Sequence, residues 1–224
     1  MIGFDNYLGS CGYTVLKQYK NAQDRCICLM RRPDGATAVL RCYNRPVSAY
    51  KNLVGIRCSE LPEVFRYTET EYGCLVEEEY IDGISLSDLT ETHTVDESQT
   101  AAIAYQVCRA LAVLHGRNMV HRDVKPENVL LTSSGRVVLI DLDAVSTRTS
   151  VKDRDTQLLG TIGYAAPEQF GFGHSDGRTD VFGVGVLMNV LLTGKHPVQE
   201  LTGGPLRPIV ENALRSTRIS AMRR

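Results

Sequence analysis

Hydrophobic and polar positions change their period near residue 83. Before it lie short runs with strand character: Tyr13–Leu16, Arg25–Met30, Thr37–Tyr43, Val64–Tyr67 and Cys74–Ile81. The turn Arg32-Pro33-Asp34-Gly35 separates two of them as a hairpin connection would. Beyond residue 83 the apolar positions follow a helical period. Thr94-x-x-Glu97 has the form of a capping box, Ile103, Val107, Ala110, Leu111 and Leu114 recur at helical spacing, and Gly116 supplies a stop. Val129–Leu131 and Val137–Ile140 read as short strands about Ser133-Ser134-Gly135. Phe182 to Leu192 is apolar nearly all round, which predicts a buried helix. There is no internal repeat and no low-complexity tract. The pattern predicts an α+β protein: a small β lobe, a short connector, and a larger helical lobe with a cleft between them.

Composition narrows the class. The chain has 224 residues, 43% of them hydrophobic and 23% charged, enough for one large domain or two lobes. Lys and Arg number 25 against 26 Asp and Glu, a net charge of −1, which argues against a nucleic-acid partner held through phosphates. Trp is absent and aromatics make up only 7%, which disfavours a base-stacking platform. The seven cysteines, Cys11, Cys26, Cys28, Cys42, Cys58, Cys74 and Cys108, are odd in number and form no paired C-x-x-C. They are expected to be free, mostly buried thiols in a reducing compartment. Met1 to Asn6 lacks a basic region leading into an apolar stretch, so no signal peptide is read there. Val181 to Leu192 is shorter than the roughly 18 residues needed to span a bilayer and contains Asn189. A cytoplasmic location without a membrane span is expected.

The chemistry concentrates between residues 121 and 180. His121-Arg122-Asp123-Val124-Lys125-Pro126-Glu127-Asn128 is followed by Asp141-Leu142-Asp143 after a strand, and by Gly160-Thr161-x-Gly163-Tyr164-x-Ala166-Pro167-Glu168. Asp180 then precedes Phe182-Gly183-x-Gly185-Val186 and Leu192-Thr193-Gly194-Lys195-x-Pro197. In order and spacing these segments resemble the catalytic loop, metal-binding segment, activation segment and anchoring helix of protein kinases. The resemblance covers nearly the whole chain and implies the two-lobed kinase fold: residues 1–78 as N-lobe, 79–83 as hinge and 84–224 as C-lobe.

Phosphoryl transfer spreads negative charge over the phosphoryl oxygens, so catalysis rests on positioning and charge stabilisation. The resemblance implies that Asp123 accepts or orients the proton of the attacking hydroxyl, and that Lys125 reaches the transferring phosphate. Asn128 and Asp141 offer the oxygen ligands that Mg²⁺ prefers. ATP and Mg²⁺ are the implied cofactors. Asp143, where glycine is usual, suits a turn or cap as well as it suits chemistry. Lys125 together with Thr161 resembles the Ser/Thr-specific branch, with bacterial kinases the nearest in type, so protein substrates bearing Ser or Thr are expected. Thr147, Thr149, Ser150 and Thr156 are possible phosphoacceptors, and Arg122, read as uncompensated, is the group that would pair with an added phosphate.

The N-terminal part departs from the pattern. Leu8-Gly9-Ser10-Cys11-Gly12-Tyr13-Thr14-Val15-Leu16 resembles a variant phosphate-covering loop, with Gly9 and Gly12 as its glycines. Ala38-Val39-Leu40-Arg41 puts Arg41 where a lysine normally holds the nucleotide phosphates. Glu79 to Gly83 fits a hinge, with Glu79 and Ile81 beside the adenine and Leu16, Val39 and Leu130 sandwiching it. Leu130 and Val39 fit a plain core role equally. Pro46 to Ser59 contains no acidic residue to support Arg41. Strand alternation puts Val76 and Glu78 on one face and Glu77 and Glu79 on the other. Glu78 is therefore the expected partner of Arg41, the alternative being that it turns to water or pairs elsewhere. Only 27 residues follow Pro197, so a shortened C-lobe is expected, with Arg218, Arg223 and Arg224 as candidate partners of Glu168. Two functions stand: an active Ser/Thr kinase, favoured by Asp123, Lys125, Asn128 and Asp141, and a pseudokinase that binds nucleotide or a partner, favoured by Arg41 and the short tail.

Overall fold

The computed structural model describes residues 12–71, 73–147 and 176–216. Its contacts divide the chain into two compact units, one of residues up to Cys58 with Pro62–Ile81, the other of Ser59–Leu61 with residues from Asp82 on. The first unit is a sheet of β1 (Thr14–Asn21), β2 (Arg25–Arg31), β3 (Thr37–Tyr43), β4 (Val64–Thr70) and β5 (Gly73–Glu79), with one short helix, α1 (Ser48–Leu53). Strand order is β1-β2-β3-β5-β4, antiparallel throughout. Alternation along β2 buries Cys26, Cys28 and Met30, which pack with Leu40 of β3. β1 runs five residues past its predicted end, because Lys17 to Asn21 is a polar, exposed edge that leaves no hydrophobic signature.

The described cysteines are free thiols: Cys26, Cys28 and Cys74 buried, Cys42 and Cys58 partly so, Cys108 exposed. The sulfurs of Cys26 and Cys28 lie 3.6 Å apart. Burial first, and then the hydrogen bond with Cys26, pushes the Cys28 thiol up to about 12. Burial likewise pushes the Cys42 thiol up.

The second unit holds β6 (Gly83–Ser85), β8 (Val129–Thr132) and β9 (Val137–Leu139) in one sheet, and β7 (Met119–Val120) paired with β10 (Ser146–Thr147). Its helices are α2 (Leu86–Thr92), α3 (Glu97–His115), α4 (Gly177–Thr193) and α5 (Arg207–Arg215). The capping box of α3 lies two residues beyond its predicted place. Asp96 Oδ1 accepts from Gln99 N at 2.7 Å and Gln99 Oε1 accepts from Asp96 N at 3.1 Å. Asp is a stronger N-cap than Thr, and Val95 packs inward just ahead of it while Thr94 stays exposed. α4 begins five residues before the predicted Phe182, on a polar first turn capped by Asp176 and Thr179. Helix α5, which the hydrophobic pattern did not predict, seats Val210 in the core. A side-chain carbon at Gly185 of α4 would lie 2.8 Å from Ala213 Cβ, so only glycine admits α5 this closely.

Three residues from the predicted N-lobe belong to the second unit. Leu139 N donates to Glu60 O at 2.9 Å, and Arg136 Nε to Ser59 O at 2.5 Å. The buried Glu60 carboxylate pairs with Arg109 of α3 at 3.3 Å. Backbone pairing and a buried carboxylate outweigh sequence adjacency here.

Two outcomes test this account. Asp96→Ala should cost about 1 kcal/mol in urea unfolding, and Thr94→Ala less than about 0.5 kcal/mol. Burial pushes the Cys108 thiol up as well, but Cys108 is exposed and Cys28 is not. At pH 8 iodoacetamide should therefore label Cys108 faster than Cys28, which should react only after denaturation, read by peptide mass spectrometry.

Candidate active site

In the second unit the loop after β7 is built on backbone that needs support. Asn118, Arg122 and Asp141 all have positive φ, at 57°, 68° and 66°. Each costs of order 1–3 kcal/mol unless its surroundings hold it. For Arg122, the one of the three in the loop after β7, Asp180 supplies that hold from the first turn of α4, where it is 1% exposed. It accepts from His121 N at 2.9 Å, from Arg122 N at 2.7 Å, and faces His115 Nε2 at 2.7 Å. One turn further, an added carbon at Gly183 would stand 2.9 Å from Val124 Cβ, so the glycine lets the loop lie against the helix. His121 is fully buried, with Nδ1 3.3 Å from Asp123 N and Nε2 3.3 Å from Ile140 O. The tautomer protonated at Nε2 satisfies both contacts.

The four sequence-predicted catalytic residues lie in this unit. Asn128 closes a 3₁₀ turn begun by Pro126, and its Nδ2 donates to Asp123 O at 2.9 Å and Asp123 Oδ2 at 2.8 Å. Lys125 Nζ stands 3.0 Å from the same Oδ2. The structure thus brings Asp123, Lys125 and Asn128 together around one carboxylate oxygen. Asn128 Oδ1 makes no hydrogen bond among the described residues, and the loop is tied back by Ile140 N donating to Asn128 O at 2.8 Å. Asp141 lies one residue beyond the end of β9, after Ile140, in left-handed backbone before the 3₁₀ turn Leu142–Ala144. Asp143 lies inside that turn, in agreement with a turn role. Arg122 is not uncompensated as the sequence suggested: its Nε donates to Ala144 O at 2.7 Å. Thr147 ends β10 opposite Met119, whereas Thr149, Ser150, Thr156 and the 160–168 segment lie outside the described residues.

In the first unit Arg41 and Glu78 are paired. Arg41 Nε lies 2.6 Å from Glu78 Oε1, and both side chains are buried, 7% and 4% exposed. Register explains the choice: Val39, two residues before Arg41 on the same face, is the direct partner of Glu78. The neighbouring Glu77 points to the other face, where Tyr13 Oη donates to it at 2.8 Å and Arg32 Nε lies 3.2 Å away. Glu79 accepts from Glu63 N at 3.2 Å. Val39 and Ile81 are buried, Leu130 is half-buried in β8, and Leu16 is 40% exposed on β1. Gly12 has φ 69°, as a turn glycine would, while Gly9 and the candidate arginines Arg218, Arg223 and Arg224 lie outside the described residues.

Two participants escaped the sequence reading. His115, the last residue of α3, drew no reading from the sequence, although it lies six residues before His121. Tyr50, the buried aromatic of α1, gave its signal through the missing carboxylate: a helix facing Arg41 without an acid must offer something else.

A model of the protein kinase domain matches residues 38–219. Among curated proteins the chain is 40% identical over 121 residues to serine/threonine-protein kinase PknL of Mycobacterium tuberculosis, covering 53% of this chain and 30% of that protein. It is 30% identical over 168 residues to serine/threonine-protein kinase D of Synechocystis, covering 72% of this chain and 32% of the relative. With the probable serine/threonine-protein kinase PknB of Corynebacterium glutamicum the identity is 34% over 125 residues, 54% of this chain and 19% of that one. The chain therefore spans about a third or less of the relatives it matches. Among the described residues no helix is long and apolar enough to cross a membrane. The match extends over most of the sequence, and the loop it contains is the one Asp180 holds in place; the chain belongs to the protein kinase family.

Proposed function

We propose that this chain transfers a phosphoryl group from ATP to Ser and Thr hydroxyls of protein substrates, its own chain included. One observation carries the reading: Asp123 is held by Asn128 and Lys125 in a loop fixed at its root by Asp180. A carboxylate so oriented can take the proton of an incoming hydroxyl, and Lys125 beside it can neutralise charge developing on the phosphoryl oxygens. Mg²⁺, when bound with the nucleotide, would offset the negative charge of the phosphates. Asn128 Oδ1 and the Asp141 carboxylate are the oxygen donors that would hold it, a pair of the hardness and number Mg²⁺ uses beside phosphates. In the sheet unit Arg41, oriented by Glu78, would bind the nucleotide phosphates with a fixed planar fork.

A second reading, nucleotide or partner binding without efficient turnover, is favoured by Arg41 in place of lysine. Incubation with labelled ATP and Mg²⁺ separates the two. Asp123→Asn should lower turnover at least about a hundredfold while Mg–ATP binding changes little, and Asp141→Ala should weaken Mg²⁺ dependence and ATP affinity together. Equal phosphate incorporation by wild type and Asp123→Asn would remove Asp123 from the chemistry.

The buried ion pair yields a separate outcome. Glu78→Met leaves the Arg41 guanidinium without its carboxylate and should cost about 3–5 kcal/mol of stability. Replacing both residues by Met should recover most of that loss, as a double-mutant cycle would show. Arg41→Lys should weaken ATP affinity, because an ammonium cannot reproduce the Nε contact in the same plane. Unchanged stability in Glu78→Met would mean that the pair contributes nothing to the fold.

A further inference from the structure

Helix α1 brings no carboxylate to Arg41: its six residues are Ser-Ala-Tyr-Lys-Asn-Leu, with no acid in the first turn. What it brings is Tyr50. That side chain is fully buried, and the Arg41 guanidinium carbon lies 5.8 Å from its ring centre. The ring is itself held by Tyr43, the residue two positions beyond Arg41 on the same face of β3. The two rings are 5.9 Å apart at 31°, and Tyr43 Oη donates to Tyr50 Oη at 3.3 Å. Arg41 thus meets Glu78 of β5 along its Nε edge and an aromatic face from α1.

We propose that Tyr50 is a positioning residue for nucleotide binding, setting the plane of the Arg41 fork through its π-face; this rests on the reading that Arg41 binds the phosphates. A planar donor recognises phosphate through paired, directional hydrogen bonds, so its use depends on a fixed plane. The Nε–Oε1 bond places one edge of the cation, and the aromatic face against it restricts how its plane can turn. The arrangement divides the labour. A carboxylate from the same sheet fixes where the cation is, and the helix fixes how it is turned. Because ring and cation are both removed from water, the attraction is at the strong end of its range.

The test must separate electrostatics from packing, since truncating a fully buried ring could unfold the unit. Tyr50→Phe keeps the face and serves as reference. Phe carrying one, two and three ring fluorines, installed at position 50 by nonsense suppression, keeps the shape while draining the face of negative charge. Equilibrium titration with Mg–ATP should show Kd rising stepwise along the series, to about fivefold or more for the trifluorinated ring. The melting temperature should fall far less than a cavity would cause, and any loss of turnover should appear in KM for ATP rather than in kcat. A flat Kd along the series, with Arg41→Met raising Kd, would overturn the role of Tyr50 alone. A flat Kd in Arg41→Met would overturn the phosphate-binding reading of Arg41, and the Tyr50 proposal with it.

Discussion

The carboxylate of Asp180 is the point on which the helical unit turns. It lies at the start of α4, where the helix dipole already favours a negative charge, and it accepts the backbone N–H groups of two successive residues, His121 and Arg122. Hydrogen bonds to a buried charge contribute about 1.5–3 kcal/mol each, which exceeds the 1–3 kcal/mol that a single left-handed residue costs. Arg122 can therefore keep φ 68°, and the chain reverses there so that Asp123 and Asn128 face one another. Gly183 completes the seating by leaving no side chain between α4 and Val124. An alanine there would gain up to about 1 kcal/mol of helix propensity but meet a carbon at 2.9 Å, and the clash is the larger effect. The geometry of this loop is thus set by a helix distant in sequence.

The sheet unit obeys a different constraint, the burial of charge. β5 carries three successive glutamates and lies between β3 and β4 rather than at an edge. Charged side chains at such positions are costly unless each has a partner. Alternation sends Glu77 toward Tyr13 and Arg32 and sends Glu78 toward Arg41, so that neighbouring carboxylates are neutralised on opposite faces. A one-residue register slip would exchange the faces and separate every pair. The glutamates therefore specify the register as firmly as the apolar residues beside them.

How much of this was legible follows from the same physics. β3 was read at its observed bounds and β2 to within one residue, because their hydrophobic positions are regular and Pro33-Asp34-Gly35 punctuates them. Lys125 and Asn128, gathered around Asp123, were legible because a short loop of recognisable pattern brings them together. The Glu78–Arg41 contact could be anticipated from alternation and from the missing acid in residues 46–59. What stayed hidden was set by partners remote in sequence or by weak local signals. The start of α3 lies at one of two possible caps two residues apart, and the stronger capping of Asp96 together with the packing of Val95 decides between them. α5 does carry Val210, Ala213 and Leu214 at helical spacing, but it is only nine residues long, and its close approach to Gly185 depends on a helix earlier in the chain. The affiliation of Ser59–Leu61 rests on hydrogen bonds to Arg136 and Leu139, nearly eighty residues away.

The use of arginine at position 41 follows from where its counter-charge comes from. A lysine ammonium is compact and strongly hydrated, so removing it from water beside a carboxylate costs more than it does for a guanidinium. A guanidinium is more weakly hydrated, offers one edge to Glu78, and tolerates an aromatic ring against its flat face. The site here is almost closed to water, its carboxylate belongs to the adjoining strand, and the helix beside it carries Tyr50 in place of an acid. Each of these three features alone would make a lysine less suitable, and together they form a consistent environment for the planar cation. Substituting only the cation would keep a carboxylate and a ring shaped for a fork that is no longer there. Arg41, Glu78 and Tyr50 are therefore best understood as one unit, in which strand, neighbouring strand and helix each hold one face or edge of the same cation.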